Sequence, residues 1–169
     1  IAVSTITRTT LLIKALPSLD ISLIILIKMY AVGLFYDAVT FTYFGIPYAL
    51  YAILVPDRIF LSRYHKPLVY LVFLLTAYLL LFGAVAEYLF FDEFGVRFNF
   101  IAVDYLIYTH EVIGNIKESY PVNWIFGTIL AASILVLFLI KKFINQSIGK
   151  ATPFAYRIKT APLFIVLPF

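Results

Sequence analysis

The sequence contains no cysteine, which excludes disulfides, thiolate nucleophiles and cysteine-based zinc sites. Charge is scarce as well. Asp, Glu, Lys and Arg make up 13% of the 169 residues, whereas a soluble domain carries about a quarter. With 63% hydrophobic residues and a mean hydropathy of +1.00, such a chain cannot cover its surface with polar groups in water. Histidine is limited to His65 and His110. There is no phosphate-binding glycine loop, no His-Glu-x-x-His pair, no dinucleotide fingerprint and no Ser–His–Asp set, so no catalytic residue is assigned. The net charge of +4 comes from Lys and Arg flanking apolar runs, not from one compact patch, which argues against a nucleic-acid partner.

What is present is length without charge. Residues 38–56, 67–86 and 119–140 carry no charged side chain. Each is close to or above the roughly 20 residues that cross a hydrocarbon core as a helix. Backbone polar groups in lipid must be satisfied within the segment, and the runs are continuously apolar, not alternating, so helices are expected and a barrel is not. The expected fold is all-α: a polytopic membrane domain of about five transmembrane helices, the first and last incomplete, with amphipathic helices at the outer interface. Residues 1–16 read as the end of a first span, broken by Pro17, Ser18 and Asp20. Residues 21–36 read as an interfacial helix, and Asp37 opens a span over 38–56 that contains Gly45 and Pro47. The third span covers about 67–90. The fourth covers 122–140, opened by Pro121 and anchored by Trp124 at headgroup level. A fifth starts near 160. The sequence begins at Ile1, has its single methionine at Met29 and ends within the apolar TAPLFIVLPF, so residues 1–169 are expected to be one anchor domain of a longer protein.

Charge sign orients these spans. Residues 56–67 carry Arg58, Arg63 and Lys66 against Asp57, and residues 141–159 carry Lys141, Lys142, Lys150, Arg157 and Lys159 with no acid. By the positive-inside rule both belong in the cytoplasm. Of the chain's 13 basic and 9 acidic residues, two bases (Arg97, Lys117) and five acids (Asp92, Glu93, Asp104, Glu111, Glu118) fall between Phe91 and Pro121. That island, 91–121, is expected on the periplasmic or extracellular side.

On a helix near 101–118, Asp104, Tyr108, Glu111, Asn115 and Glu118 are spaced 4, 3, 4 and 3 and form one polar stripe. The bland reading is a solvated face of an interfacial helix; the sharper one is a docking surface for lipid headgroups or an outer domain. Arg8, Asp37 and Glu87 are candidates for an intramembrane ion pair, Arg8 with either acid, because ionisable groups in or near spans are expensive and are often functional. His65 and His110 fall on opposite sides of the membrane in this topology and cannot share a site.

The string AEYLFFDEFGVRFNFIAVDYLIYTHEVIGNIKESYP, Ala86 to Pro121, resembles the outer loop of membrane-anchored sulfatase-like transferases of the lipoteichoic-acid-synthase family, particularly those of Gram-negative envelopes. AVGLFYDAVTFTYFGIPYALYAILVPDRIF, Ala31 to Phe60, is similar to that group's second span and cytoplasmic turn. The resemblance covers most of residues 8–145. It implies five membrane helices in a bacterial inner (plasma) membrane, followed by an outer domain with a Thr nucleophile and a divalent metal, often manganese. That domain would transfer phosphoglycerol or a related phospholipid headgroup. Its catalytic and metal residues have no counterpart within these 169 residues, so the partners expected here are membrane lipids and the chain's own outer domain. The same anchor would serve a sulfatase-family hydrolase, and a non-enzymatic integral membrane subunit is the third possibility.

Overall fold

The computed structural model describes residues 1–18, 21–60, 62–107, 109–148, 155–156 and 159. Among the described residues every regular element is helical. Helix α1 spans Ala2–Ala15 and runs into a 3-10 turn at Leu16–Ser18. Helix α2 spans Leu23–Leu54, α3 is a single turn at Asp57–Phe60, and α4 spans His65–Phe94. Two short helices follow, α5 (Phe100–Ile107) and α6 (Thr109–Ser119), and then α7 (Val122–Ile148).

Among the described residues three helices are long and apolar enough to cross a membrane: Leu23–Tyr51, His65–Phe94 and Val122–Gln146. At 1.5 Å per residue they measure about 43, 45 and 37 Å, enough to cross a hydrocarbon core of about 30 Å. Few of their side chains are buried inside the protein. Ile24 is 65% exposed, Phe44 66%, Leu79 63% and Phe138 69%. Against so much exposed surface the buried apolar set among the described residues is small, namely Leu11, Ala49, Val69, Phe90, Ile129 and Ile144. In water this distribution would forgo most of the hydrophobic stabilisation available; in lipid the outward faces are already solvated. The chain is therefore a membrane-embedded helical protein. Its span hydroxyls fit that solvent. Thr42 donates to the Val39 carbonyl, Thr76 to Val72, Thr128 to Trp124 and Ser133 to Ile129, so each is satisfied by its own helix.

Two boundaries differ from expectation. The interfacial helix over 21–36 and the span over 38–56 are one continuous 32-residue helix, and Asp37 lies in its interior instead of opening it. Asp37 is the central residue of the Leu23–Tyr51 span. The helix start is marked by Ser22, whose Oγ accepts from the Ile25 amide at 3.4 Å; Asp20 lies outside the described residues. Residues 1–16, expected as the end of an incomplete first span, form the 14-residue helix α1, about 21 Å long. The fifth span, from near 160, lies outside the described residues.

The packing divides into two compact units. The first joins Ile1–Leu71 with the segment beginning at Lys141; the second is Val72–Ile140. In the first, α1 lies against α2, the Tyr51 hydroxyl meets His65 Nδ1 at 2.8 Å across the turn between α2 and α4, and Tyr70 donates to Asn145 at 3.0 Å, tying the start of α4 to the end of α7. In the second, Phe82 of α4 stacks on Phe126 of α7 with centroids 5.9 Å apart.

Candidate functional site

The candidate residues occupy three places. The first is the contact between α1 and α2. Arg8 Nη2 donates to both oxygens of Asp37, at 3.3 and 3.2 Å, and the Ser4 hydroxyl donates to Asp37 Oδ1 at 2.6 Å. The side chains of Arg8 and Asp37 are only 7% and 12% exposed. Beside the pair, Thr9, next to Arg8 on α1, and Tyr30, two turns before Asp37 on α2, share a hydroxyl–hydroxyl hydrogen bond of 2.7 Å. Helical spacing explains the arrangement. Ser4 and Arg8 are four residues apart on α1, and Gly33 and Asp37 are four apart on α2, so each pair shares one helix face. Gly33 is what admits the guanidinium: a Cβ there would collide with Arg8 Cζ, Nε and Nη2. The buried Arg and Asp neutralise each other in low dielectric, so the carboxylate can stay inside the helix. Ser4, Gly33, Thr9 and Tyr30 are not among the residues the sequence singled out.

The second place is the end of α4. Glu87 is paired with Arg97, whose Nε donates to Oε1 at 2.5 Å. The set Arg8, Asp37, Glu87 thus resolves into Arg8 with Asp37 and Glu87 with Arg97. Local backbone brings Arg97 back. Gly95, at φ +67°, ends α4 in the left-handed conformation, and its amide donates to the Phe91 carbonyl at 2.9 Å. The turn folds Phe98 onto Phe90, with centroids 5.0 Å apart and Phe94 at 4.7 Å from the same ring. Asn99 then accepts from the Ile101 amide at 2.9 Å and starts α5. The Arg97 side chain is 52% exposed, so the ion pair supplies at most about 1 kcal/mol and the aromatic cluster carries the rest of the elbow. Replacing Glu87 by Gln should therefore leave global stability nearly unchanged. It should speed amide exchange in residues 95–99 by a factor of about 2–5, the equivalent of under 1 kcal/mol. A loss of several kcal/mol, or no change in those amides, would contradict this division of labour.

The third place is the polar island itself. The helix expected near 101–118 appears as α5 and α6, and neither is long enough to cross a membrane. Lys117 and Glu118 are exposed near the end of α6. Tyr108 and the side chains of Asp104, Glu111, Asn115 and His110 lie outside the described residues. His65 is buried at 5% exposure, with its ring parallel to that of Tyr51, and it serves the turn between two long helices.

Among the described residues no group of three or more His, Asp or Glu comes together as a metal site requires. The divalent metal implied by the resemblance has no fitting donor set there, and no metal-dependent step is assigned to these helices. Compared with known proteins, the chain matches no family model, no curated protein and no solved structure.

Proposed function

We propose that this chain is the membrane-anchor domain of a bacterial cell-envelope transferase that moves phosphoglycerol or a related phospholipid headgroup, with catalysis residing in an outer domain beyond these residues. The observation that carries the reading is the segment between α4 and α7. It has the wording that resembles lipoteichoic-acid-synthase-family proteins. It also forms two short helices between two long apolar ones, and in this reading they lie at headgroup depth. In this reading the five-helix anchor stands in the inner membrane, with 56–67 and 141–159 cytoplasmic and 91–121 periplasmic. The stripe Asp104, Tyr108, Glu111, Asn115 and Glu118 faces the outer domain or the headgroups. Tethering raises the local concentration of enzyme and lipid, so an anchor can be required without taking part in the chemistry. A divalent metal, manganese in the resemblance, would act in the outer domain.

The test replaces Asp104, Glu111 and Glu118 by Ala in the full-length protein. Turnover of membrane phospholipid should fall about tenfold or more, as expected when an effective-concentration advantage is lost, while turnover of a soluble phosphodiester persists. Equal loss on both substrates, or no loss on either, defeats the docking role. Following the released headgroup to an acceptor or to water separates the transferase from a hydrolase on the same anchor. A full-length protein without turnover of either substrate leaves the non-enzymatic subunit. Cysteine introduced at Ser62 or Ser147 should resist labelling by a membrane-impermeant reagent in intact cells; labelling from outside would invert the topology.

A further inference from the structure

The first compact unit gathers cations from a turn and two helix ends that are distant in sequence. Tyr70 donates to Asn145 at 3.0 Å, fixing the first turns of α4 beside the last turns of α7. Lys66 lies one turn before Tyr70 on the same face of α4, and Lys141 and Lys142 lie one turn before Asn145 on α7. The two helices run in opposite senses at this point. Lys66 is therefore displaced from the Tyr70–Asn145 level toward the loop, and the lysine pair is displaced toward the apolar stretch. Together they cover about 10–12 Å along the helix axes. Arg63 extends the set outward. Its guanidinium lies 4.9 Å from the Tyr64 ring centroid and donates to the Tyr64 hydroxyl at 2.8 Å. The turn that carries it is pinned by the contact of Tyr51 with His65, 2.8 Å long and buried on the His65 side. Arg63, Lys66, Lys141 and Lys142 are all exposed, and the only acid in 56–67 or 141–159 is Asp57.

We infer that Arg63, Lys66, Lys141 and Lys142 form a binding patch for anionic phospholipid headgroups, assembled across the Tyr70–Asn145 contact. The charge is complementary, and so is the depth. The spread of cations covers a headgroup layer of roughly 5–8 Å and the boundary beneath it, and Lys and Arg stems reach that boundary with their charged ends in the polar layer. With Arg63 on the turn, Lys66 on α4 and the lysine pair on α7, headgroups held here contact both helices. This patch is independent of any outer catalytic domain and would serve as well in a non-enzymatic membrane protein.

The test uses the purified full-length protein in phosphatidylcholine vesicles with and without a minority of phosphatidylserine. The phosphatidylserine that stays with the protein through mild detergent extraction is then measured. R63Q/K66Q and K141Q/K142Q should each lower the retained ratio of phosphatidylserine to phosphatidylcholine by about tenfold or more, the effect of two lost headgroup contacts. K28Q/K117Q removes the same charge from exposed positions elsewhere and should leave the ratio within about twofold. Helical circular dichroism of all three variants should match the unsubstituted protein, since every substituted residue is exposed. Equal losses from all three pairs would reduce the effect to net charge and overturn the patch. Unchanged retention in R63Q/K66Q or in K141Q/K142Q would overturn it as well.

Discussion

Asp37→Leu should destabilise the protein by about 3–5 kcal/mol, the cost of leaving a buried guanidinium without its counter-ion. Arg8 keeps 7% of its side-chain surface exposed and lies against the middle of a membrane-length helix, so it has no route to water that preserves the packing of α1 on α2. Membrane-insertion scales give a similar lower bound, about 2.5–3.5 kcal/mol for an unpaired charge at a helix centre. The double variant Arg8→Met/Asp37→Leu should recover most of the loss, because exchanging a buried pair for apolar groups of similar volume is often neutral or better. Its residual cost of about 1 kcal/mol is set by the Ser4 hydroxyl, which loses its acceptor at Asp37 Oδ1. Asp37→Asn should fall between, since an amide oxygen still accepts from Ser4 and Arg8 but carries no charge. Reversible unfolding in mixed micelles, followed by helical circular dichroism, reads all three. If the double variant is as unstable as Asp37→Leu, the carboxylate's task is not to answer Arg8, and the α1–α2 contact is held by its apolar residues.

The same pair marks where the sequence was legible and where it was not. The apolar cores of the three long helices were evident because lipid imposes a length and forbids charge, and 67–86 and 119–140 meet both conditions without help from any partner. In sequence α2 divides at Asp37, because a carboxylate in hydrocarbon is expensive when considered alone; the structure makes it one helix. The carboxylate's cost is met by Arg8, 29 positions away, and only the helix–helix contact reveals that. A weaker signal was present. A Ser four residues before the Arg and a Gly four residues before the Asp give each helix a polar face with room for the other. In sequence Glu87 is a charge near a helix end and Arg97 is one of two bases in the polar island. Bringing them together depends on the left-handed turn at Gly95, and a glycine after a helix is a common stop that does not say where the chain goes next. In the island, the 4-3-4-3 spacing anticipated helix, and the structure supplies it as two short segments. In sequence the basic residues of 56–67 and 141–159, Lys66, Lys141 and Lys142 among them, are topology signals. That α4 and α7 bring them to one end becomes visible only through Tyr70 and Asn145, two ordinary polar residues in the sequence.

Gly33→Ala should destabilise by about 1–2 kcal/mol, although alanine in a helix interior is worth about 1 kcal/mol over glycine. The new methyl group falls on the Arg8 guanidinium. That group ends a flexible side chain and can swing aside, so the backbone need not move. Swinging aside, however, takes Nη2 away from Asp37, and the loss of a buried charge-assisted contact outweighs the gain in helix propensity. Two comparisons isolate this cause. Gly83→Ala, in α4, places its methyl group where no atom lies within 4 Å and should stabilise by up to about 1 kcal/mol. Gly33→Ala made on top of Arg8→Ala/Asp37→Ala should likewise become stabilising, because the obstructing guanidinium and the pair it would break are both gone. The sign reversal is the diagnostic, and the same micelle unfolding measurement reads it. A Gly33→Ala effect that keeps its sign in that background would show that α1 and α2 need the glycine for backbone approach itself, with Arg8 a bystander to the close contact.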